Sequence, residues 1–109
     1  MLAERLGELT EKTDLDQVEV ARVLGTSART VSRWLRDEAS PRRDVRERLL
    51  EFLAVLERLS AVLQPEPAHD WLFAPNPRLG YQKPADPIRD GEFHEVLGAI
   101  DALGEGVFV

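Results

Sequence analysis

The stretch QVEVARVLGTSARTVSRWL, Gln17 to Leu35, constrains this chain more than any other part of it. Two short helices that cross steeply need a small residue at their closest approach, and Ala21 supplies it. Gly25 permits the tight turn that follows, Leu24 and Val31 plug the angle between the helices, and Trp34 closes the base of the small core. Every requirement falls on a suitable residue in one register, so the stretch reads as a helix-turn-helix. Ser27 is placed to cap the second helix through its hydroxyl, and that helix is expected from about Ala28 to Arg36, with Val31, Trp34 and Leu35 as its buried side.

The outward positions of the second helix carry the functional expectation. Ala28, Arg29, Thr30, Ser32 and Arg33 alternate small with long polar side chains, a pattern that lets a helix sit deep in a major groove while arginine reaches guanine edges. Arg29 and Arg33 lie one turn apart on one face. Ser27 and Thr30 suit phosphate or base-edge hydrogen bonds, Gln17 suits a phosphate beside its helix N-terminus, and Arg36, Arg42 and Arg43 suit positioning charges. The DNA-contacting set is therefore Gln17, Ser27, Arg29, Thr30, Ser32, Arg33 and Arg36. The alternative is a helical hairpin with no DNA role, its arginines simply solvated. One such unit binds weakly, so operator DNA would be met by a homodimer on paired half-sites.

A net charge of -6 fits that partner only when it is split along the chain. Residues 1–50 balance 10 Lys/Arg against 10 Asp/Glu, whereas residues 51–109 hold 4 against 10. The window 22–48 contains eight arginines and four acids, a local excess that could face phosphates. An acidic C-terminal half would be repelled by DNA and suits a basic protein partner.

Around the motif the apolar spacing is helical. Leu2, Leu6 and Leu9 form a first stripe that Thr13 and Asp14 punctuate, and Ser40-Pro41 reads as an N-cap with proline in the first turn of a long helix, Arg42 to Leu63. Its stripe of Val45, Leu49, Phe52, Leu53, Leu56, Leu59, Val62 and Leu63, widened by Leu50 and Val55, must bury more than one neighbour, either both lobes of its own chain or a second copy. Pro65 and Pro67 end it. Trp71 to Pro87 reads as loop-rich, with a turn at Asn76-Pro77, a positive-φ position at Gly80, and Asp86 capping a short helix that ends near Asp90-Gly91. Trp71 reads as a core anchor tying this loop to the long helix, with a partner contact as the other reading. A last helix is expected from Glu92 to Leu103, with Phe93, Val96, Leu97, Ile100 and Leu103 inside, and then the short apolar tail Gly106 to Val109.

Trp71-Leu72, Pro75-Asn76-Pro77-Arg78-Leu79-Gly80, Pro84-Ala85-Asp86 and Asp90-Gly91 together resemble the pattern of the Xre-like antitoxins of RES/Xre toxin–antitoxin systems, the MbcA/ParS/Xre group. The likeness covers nearly the whole chain. It implies an all-α fold in which an N-terminal Xre-type helix-turn-helix lobe, residues 1–41, is joined by a long helix to a small helical, loop-rich toxin-binding and dimerisation domain within residues 42–109. It also implies a RES-domain toxin that consumes NAD as partner, within a larger hetero-oligomer. The toxin contacts it implies are Trp71, Asn76, Arg78, Leu79, Gly80 and Tyr81, together with the tail Gly106, Val107, Phe108 and Val109 inserted at the toxin's active-site entrance. The chain departs from the group's pattern twice: Tyr81 stands where a second glycine is common, and Pro87-Ile88 where a Leu-Leu pair precedes Arg-x-Gly.

No catalytic residue, cofactor or metal is expected. With no cysteine and two histidines on different elements, His69 and His94, thiolate chemistry is excluded and a metal site is disfavoured. Neither a signal peptide nor a membrane helix is legible, and a cytoplasmic protein is expected. The competing reading is a stand-alone dimeric transcription regulator with no toxin partner.

Overall fold

The computed structural model describes residues 1–104, and within them every regular element is helical. In chain order these are α1 (Leu2–Lys12), α2 (Gln17–Leu24), α3 (Ala28–Leu35), α4 (Arg43–Ser60), α5 (Pro65–Phe73), a single 3-10 turn (Pro77–Leu79), α6 (Ala85–Arg89) and α7 (Phe93–Gly104). The molecule is elongated, 47 × 24 × 19 Å, with α4 as its spine: α1, α2, α5, α6 and α7 all pack on it.

The broad stripe of α4 is consumed inside the chain. Leu49, Phe52, Leu53, Val55, Leu56 and Leu59 are buried by elements from both ends of the sequence, and one continuous core runs from Leu6 to Ile100. Each such side chain contributes roughly 1.5–3 kcal/mol by leaving water. Of the two readings of that stripe, both lobes of the same chain is the one observed. Leu50 and Val62 fall outside it, 39% and 41% exposed, because the helices flanking α4 leave those positions uncovered.

The helix-turn-helix forms where its signature lies. Asp16 caps α2 reciprocally with Glu19, Gly25 closes it at φ 71°, and the Ser27 hydroxyl accepts the Thr30 backbone N–H at 3.1 Å to start α3. Each cap contributes about 1 kcal/mol. Ala21, Leu24, Val31 and Trp34 are buried between the helices as their spacing required. α1 lies against the half-buried Leu35 of α3 near Gly7, where an added Cβ would stand 3.7 Å from the leucine Cδ2, an ordinary contact.

Four expected helix boundaries differ. The N-cap of α4 is Arg42, in extended conformation and without a side-chain cap, so Ser40 does not cap and Pro41 precedes the helix. Ala39 and Pro41 are half-buried beside Trp34, which holds the segment extended. The helix also ends earlier than expected, at Ser60 rather than Leu63. Pro65 and Pro67 do not end α4, which stops before them, and Pro65 instead opens α5: proline is at home in a first turn, where its missing N–H has no intrahelical partner. That helix runs through Trp71 to Phe73, where a loop was expected. Asp86 does not cap α6 either; Pro84 holds the N-cap position and Asp86 lies in the first turn.

Two polar ties fasten the C-terminal half to the rest. The Arg48 guanidinium, from α4, donates to the carbonyls of Ile88 and Arg89 at the end of α6 and pairs with Glu51 at 3.2 Å. Gly91 turns the chain at φ 83°, and a Cβ there would stand 3.1 Å from the guanidinium, so the Asp90-Gly91 motif serves both a left-handed turn and room for Arg48. The helix it closes, α6, packs on α2 of the helix-turn-helix. The second tie is His69 of α5, whose Nε2 meets the Glu19 carboxylate on α2 while Nδ1 lies 3.2 Å from Asp70. The Glu19 hydrogen bond raises the His69 pKa above its ordinary 6.5, burial opposes it, and Asp70 adds to the rise.

Two outcomes follow from these ties. Gly91→Ala lowers the unfolding free energy by roughly 1–3 kcal/mol in urea titrations, because alanine strains at this φ and meets Arg48. A histidine whose folded pKa is raised adds stability that is fully present below pH 6.5 and lost as pH rises through the raised value. The wild type therefore loses stability relative to His69→Gln as pH climbs from about 6 to 8.5; a constant difference across that range is the contrary result.

Candidate functional site

The structure gathers the sequence-derived candidates on two faces. On the first, α3 presents Arg29 and Arg33 fully outward and one turn apart, and among the described residues neither is in an ion pair. Ser32 is half-buried beside them, and Gln17 is exposed in the first turn of α2. Ser27 and Thr30 spend part of their capacity on each other, their hydroxyls 2.9 Å apart, so they shape the N-terminus of α3 before they offer anything to a ligand. Arg36, at the C-cap of α3, is drawn toward Glu38 at 3.9 Å. The exposed arginines of this half that are in no ion pair among the described residues are thus Arg22 on α2, Arg29 and Arg33 on α3, and Arg42, Arg43 and Arg46 at the start of α4, each a guanidinium fork suited to phosphate or a base edge.

The second face is a pair of adjoining clefts between the Asn76–Gly80 turn and α7. One, of about 420 Å³, is walled by Trp71, Pro75, Pro77 and Arg78 on one side and by Ala99, Ala102 and Leu103 on the other. Its neighbour, of about 550 Å³, is bounded by Arg78, Leu79 and Gly80 against Glu95, Gly98 and Ala99. The turn is built by its own residues: the Asn76 side chain accepts the Arg78 N–H at 2.9 Å, and the Asn76 carbonyl takes the N–H groups of Leu79 and Tyr81. Gly80 sits at φ 64° and Tyr81 at φ 66°. Glycine in the group's pattern at the Tyr81 position is thereby explained, since a tyrosine held left-handed costs roughly 1–2 kcal/mol.

Of the six expected contacts before the tail, three offer side chains outward. Trp71 is half-buried with one face in the first cleft, which joins its two readings; Arg78 is exposed and borders both clefts; Tyr81 is 71% exposed. Asn76 and Gly80 shape the turn. Leu79 is 8% exposed and belongs to the core. Glu95, Gly98, Ala102 and Leu103 complete the face; Glu95 reads in the sequence as part of an acidic face or a complement to a basic partner, Gly98 and Ala102 were passed over as parts of a helix, and Leu103, expected inside, is partly exposed as a cleft wall. The tail Gly106, Val107, Phe108 and Val109 lies outside the described residues.

Known proteins answer to both faces. Residues 1–63 match a helix-turn-helix domain family. The mycobacterial cidal antitoxin MbcA of Mycobacterium tuberculosis, and that of Mycobacterium bovis, are 40% identical over 109 residues, covering all of this chain and 96% of theirs. A probable mycobacterial cidal antitoxin of M. tuberculosis, Rv3188, is 33% identical over 93 residues, 85% of this chain and 79% of its own. The crystal structure of the M. tuberculosis MbcT–MbcA toxin–antitoxin complex contains a chain that superposes with a TM-score of 0.90 at 40% identity, covering all of this chain and 98% of that one. Among the described residues no helix is long and apolar enough to cross a membrane. The chain belongs to the MbcA family of antitoxins and carries a helix-turn-helix domain in its N-terminal half.

Proposed function

We propose that this protein neutralises a RES-domain toxin that consumes NAD, using the clefts between the Asn76–Gly80 turn and α7 as the docking face and the residues beyond Gly104 to block the toxin's active site. The observation that carries this reading is the convergence of Trp71 and Arg78 on a face whose far wall, Ala102 and Leu103, ends where that tail begins. The relative solved with its toxin is 40% identical over the full chain, which supports the same kind of partner here. The acidic balance of residues 51–109 suits a basic toxin surface.

The helix-turn-helix would then serve regulation: α3 enters the major groove of operator DNA, Arg29 and Arg33 read base edges, and Gln17 and the arginines at the start of α4 hold phosphates. Two copies on paired half-sites give the affinity that one small unit lacks. In this reading the parts form two functional regions, residues 1–41 for DNA and 42–109 for the toxin and for self-association, in the cytoplasm where NAD and operator are both found.

Co-expression with a RES-domain toxin restores growth and cellular NAD, and removing residues 106–109 abolishes that protection while toxin binding persists through the clefts. Undiminished protection by the shortened chain removes the tail from the mechanism. Failure of the full chain to preserve NAD leaves a transcription regulator without a toxin. Replacing Arg29 and Arg33 together by alanine costs about 1–3 kcal/mol of operator binding per lost base contact at fixed salt and leaves NAD protection intact.

A further inference from the structure

The His69 ring stands between two carboxylates carried by different helices. Its Nε2 meets Glu19 Oε2 on α2, 50 positions away in the chain, and its Nδ1 lies 3.2 Å from Asp70 Oδ1 on its own α5. A neutral imidazole has one N–H and one lone pair, so it donates to one carboxylate and sets a lone pair against the other; only the protonated ring donates to both. Among the described residues Glu19 of α2 and Asp70 of α5 are the charged groups that act on the ring, with the Phe73 ring of α5 tilted against it at 5.2 Å, and α4, on which α5 packs, brings no charge to it.

The Glu19 carboxylate has a second task. Its Oε1 accepts the Asp16 N–H at 3.0 Å while the Asp16 carboxylate accepts the Glu19 N–H at 2.8 Å, the reciprocal cap that opens α2. Gln17, exposed in that same first turn, is the residue read above as a phosphate contact. The carboxylate that completes this turn is thus the one the ring grips, and a charged grip is stronger than a neutral one. We infer that His69 is a positioning residue for DNA binding: its protonated ring holds Glu19, and through it the turn that carries Gln17, so that the protein binds duplex DNA more tightly in mild acid than in mild base. Affinity is full while the ring is charged and falls as pH rises through its raised pKa. The inference rests on the DNA-binding reading above and is independent of the toxin.

The test is the affinity of the full chain for a labelled duplex of the DNA upstream of its own coding sequence, at fixed salt from pH 6 to 8.5, with circular dichroism at each pH to keep the comparison to folded protein. Between those limits the wild type loses about threefold more affinity than His69→Gln, whose neutral side chain binds at pH 6 as the wild type does at pH 8.5. His94→Gln keeps the wild-type profile. Parallel profiles for the wild type and His69→Gln overturn the inference, as does a loss in His69→Gln that is the same at every pH, which is what a merely structural histidine gives. Asp70→Asn, a change at an exposed side chain, moves the midpoint of the fall to lower pH by removing one of the two carboxylates that favour the proton; an unmoved midpoint is a contrary result. In a Gln17→Ala background the replacement of His69 no longer changes binding, and an effect that persists there overturns the route through Gln17. If the wild type binds no duplex at any pH, the DNA-binding reading itself falls and this inference falls with it.

Discussion

Everything else in this molecule leans on the burial of one side of α4. Six of its side chains, Leu49 to Leu59, are removed from water by helices drawn from both ends of the chain, and no other element is long enough to touch them all. Removing the Phe52 ring alone would cost about 3–5 kcal/mol, a large part of the stability of a domain this size. The helix-turn-helix and the cleft-bearing half therefore do not fold beside each other as independent units; each supplies walls to the same core.

That shared core is why small polar contacts matter so much at its edges. α6 is only five residues long and could not hold its place by propensity. Arg48 satisfies carbonyls at its C-terminal end, Gly91 makes room for the guanidinium, and the opposite side of α6 rests near α2. His69 makes a second bridge to α2 through Glu19, the residue that also completes the Asp16 capping box. The helix that precedes α3 is thus gripped by two elements of the cleft-bearing half.

Much of the N-terminal half was legible because its requirements are local. A small residue at a crossing, a glycine at a left-handed turn and a serine at an N-cap act on neighbours in the chain, so Ala21, Gly25 and Ser27 announce themselves in one dimension. The C-terminal half was legible mainly by resemblance. Pro65 and Pro67 read as a stop because proline ends one helix as readily as it opens the next, and which it does depends on whether the following apolar residues find a surface; Ala68 and Leu72 find one on α4. Leu79 was expected at a contact and lies in the core, since an exposed turn and a buried anchor look alike in a short motif.

By itself the sequence determined an all-helical chain, the helix-turn-helix and its outward arginines, and the division of charge, all properties of spacing and residue type, while the antitoxin family was read from resemblance. Tertiary structure alone decided that α4 spends its apolar face inside one chain, that Arg48 is seated over Gly91, and that Trp71 faces Ala102 and Leu103, and Arg78 faces Glu95 and Gly98, across two adjoining clefts. Those facts join residues from 17 to 43 positions apart, and a periodic pattern can show that a face must be covered but not which distant segment covers it.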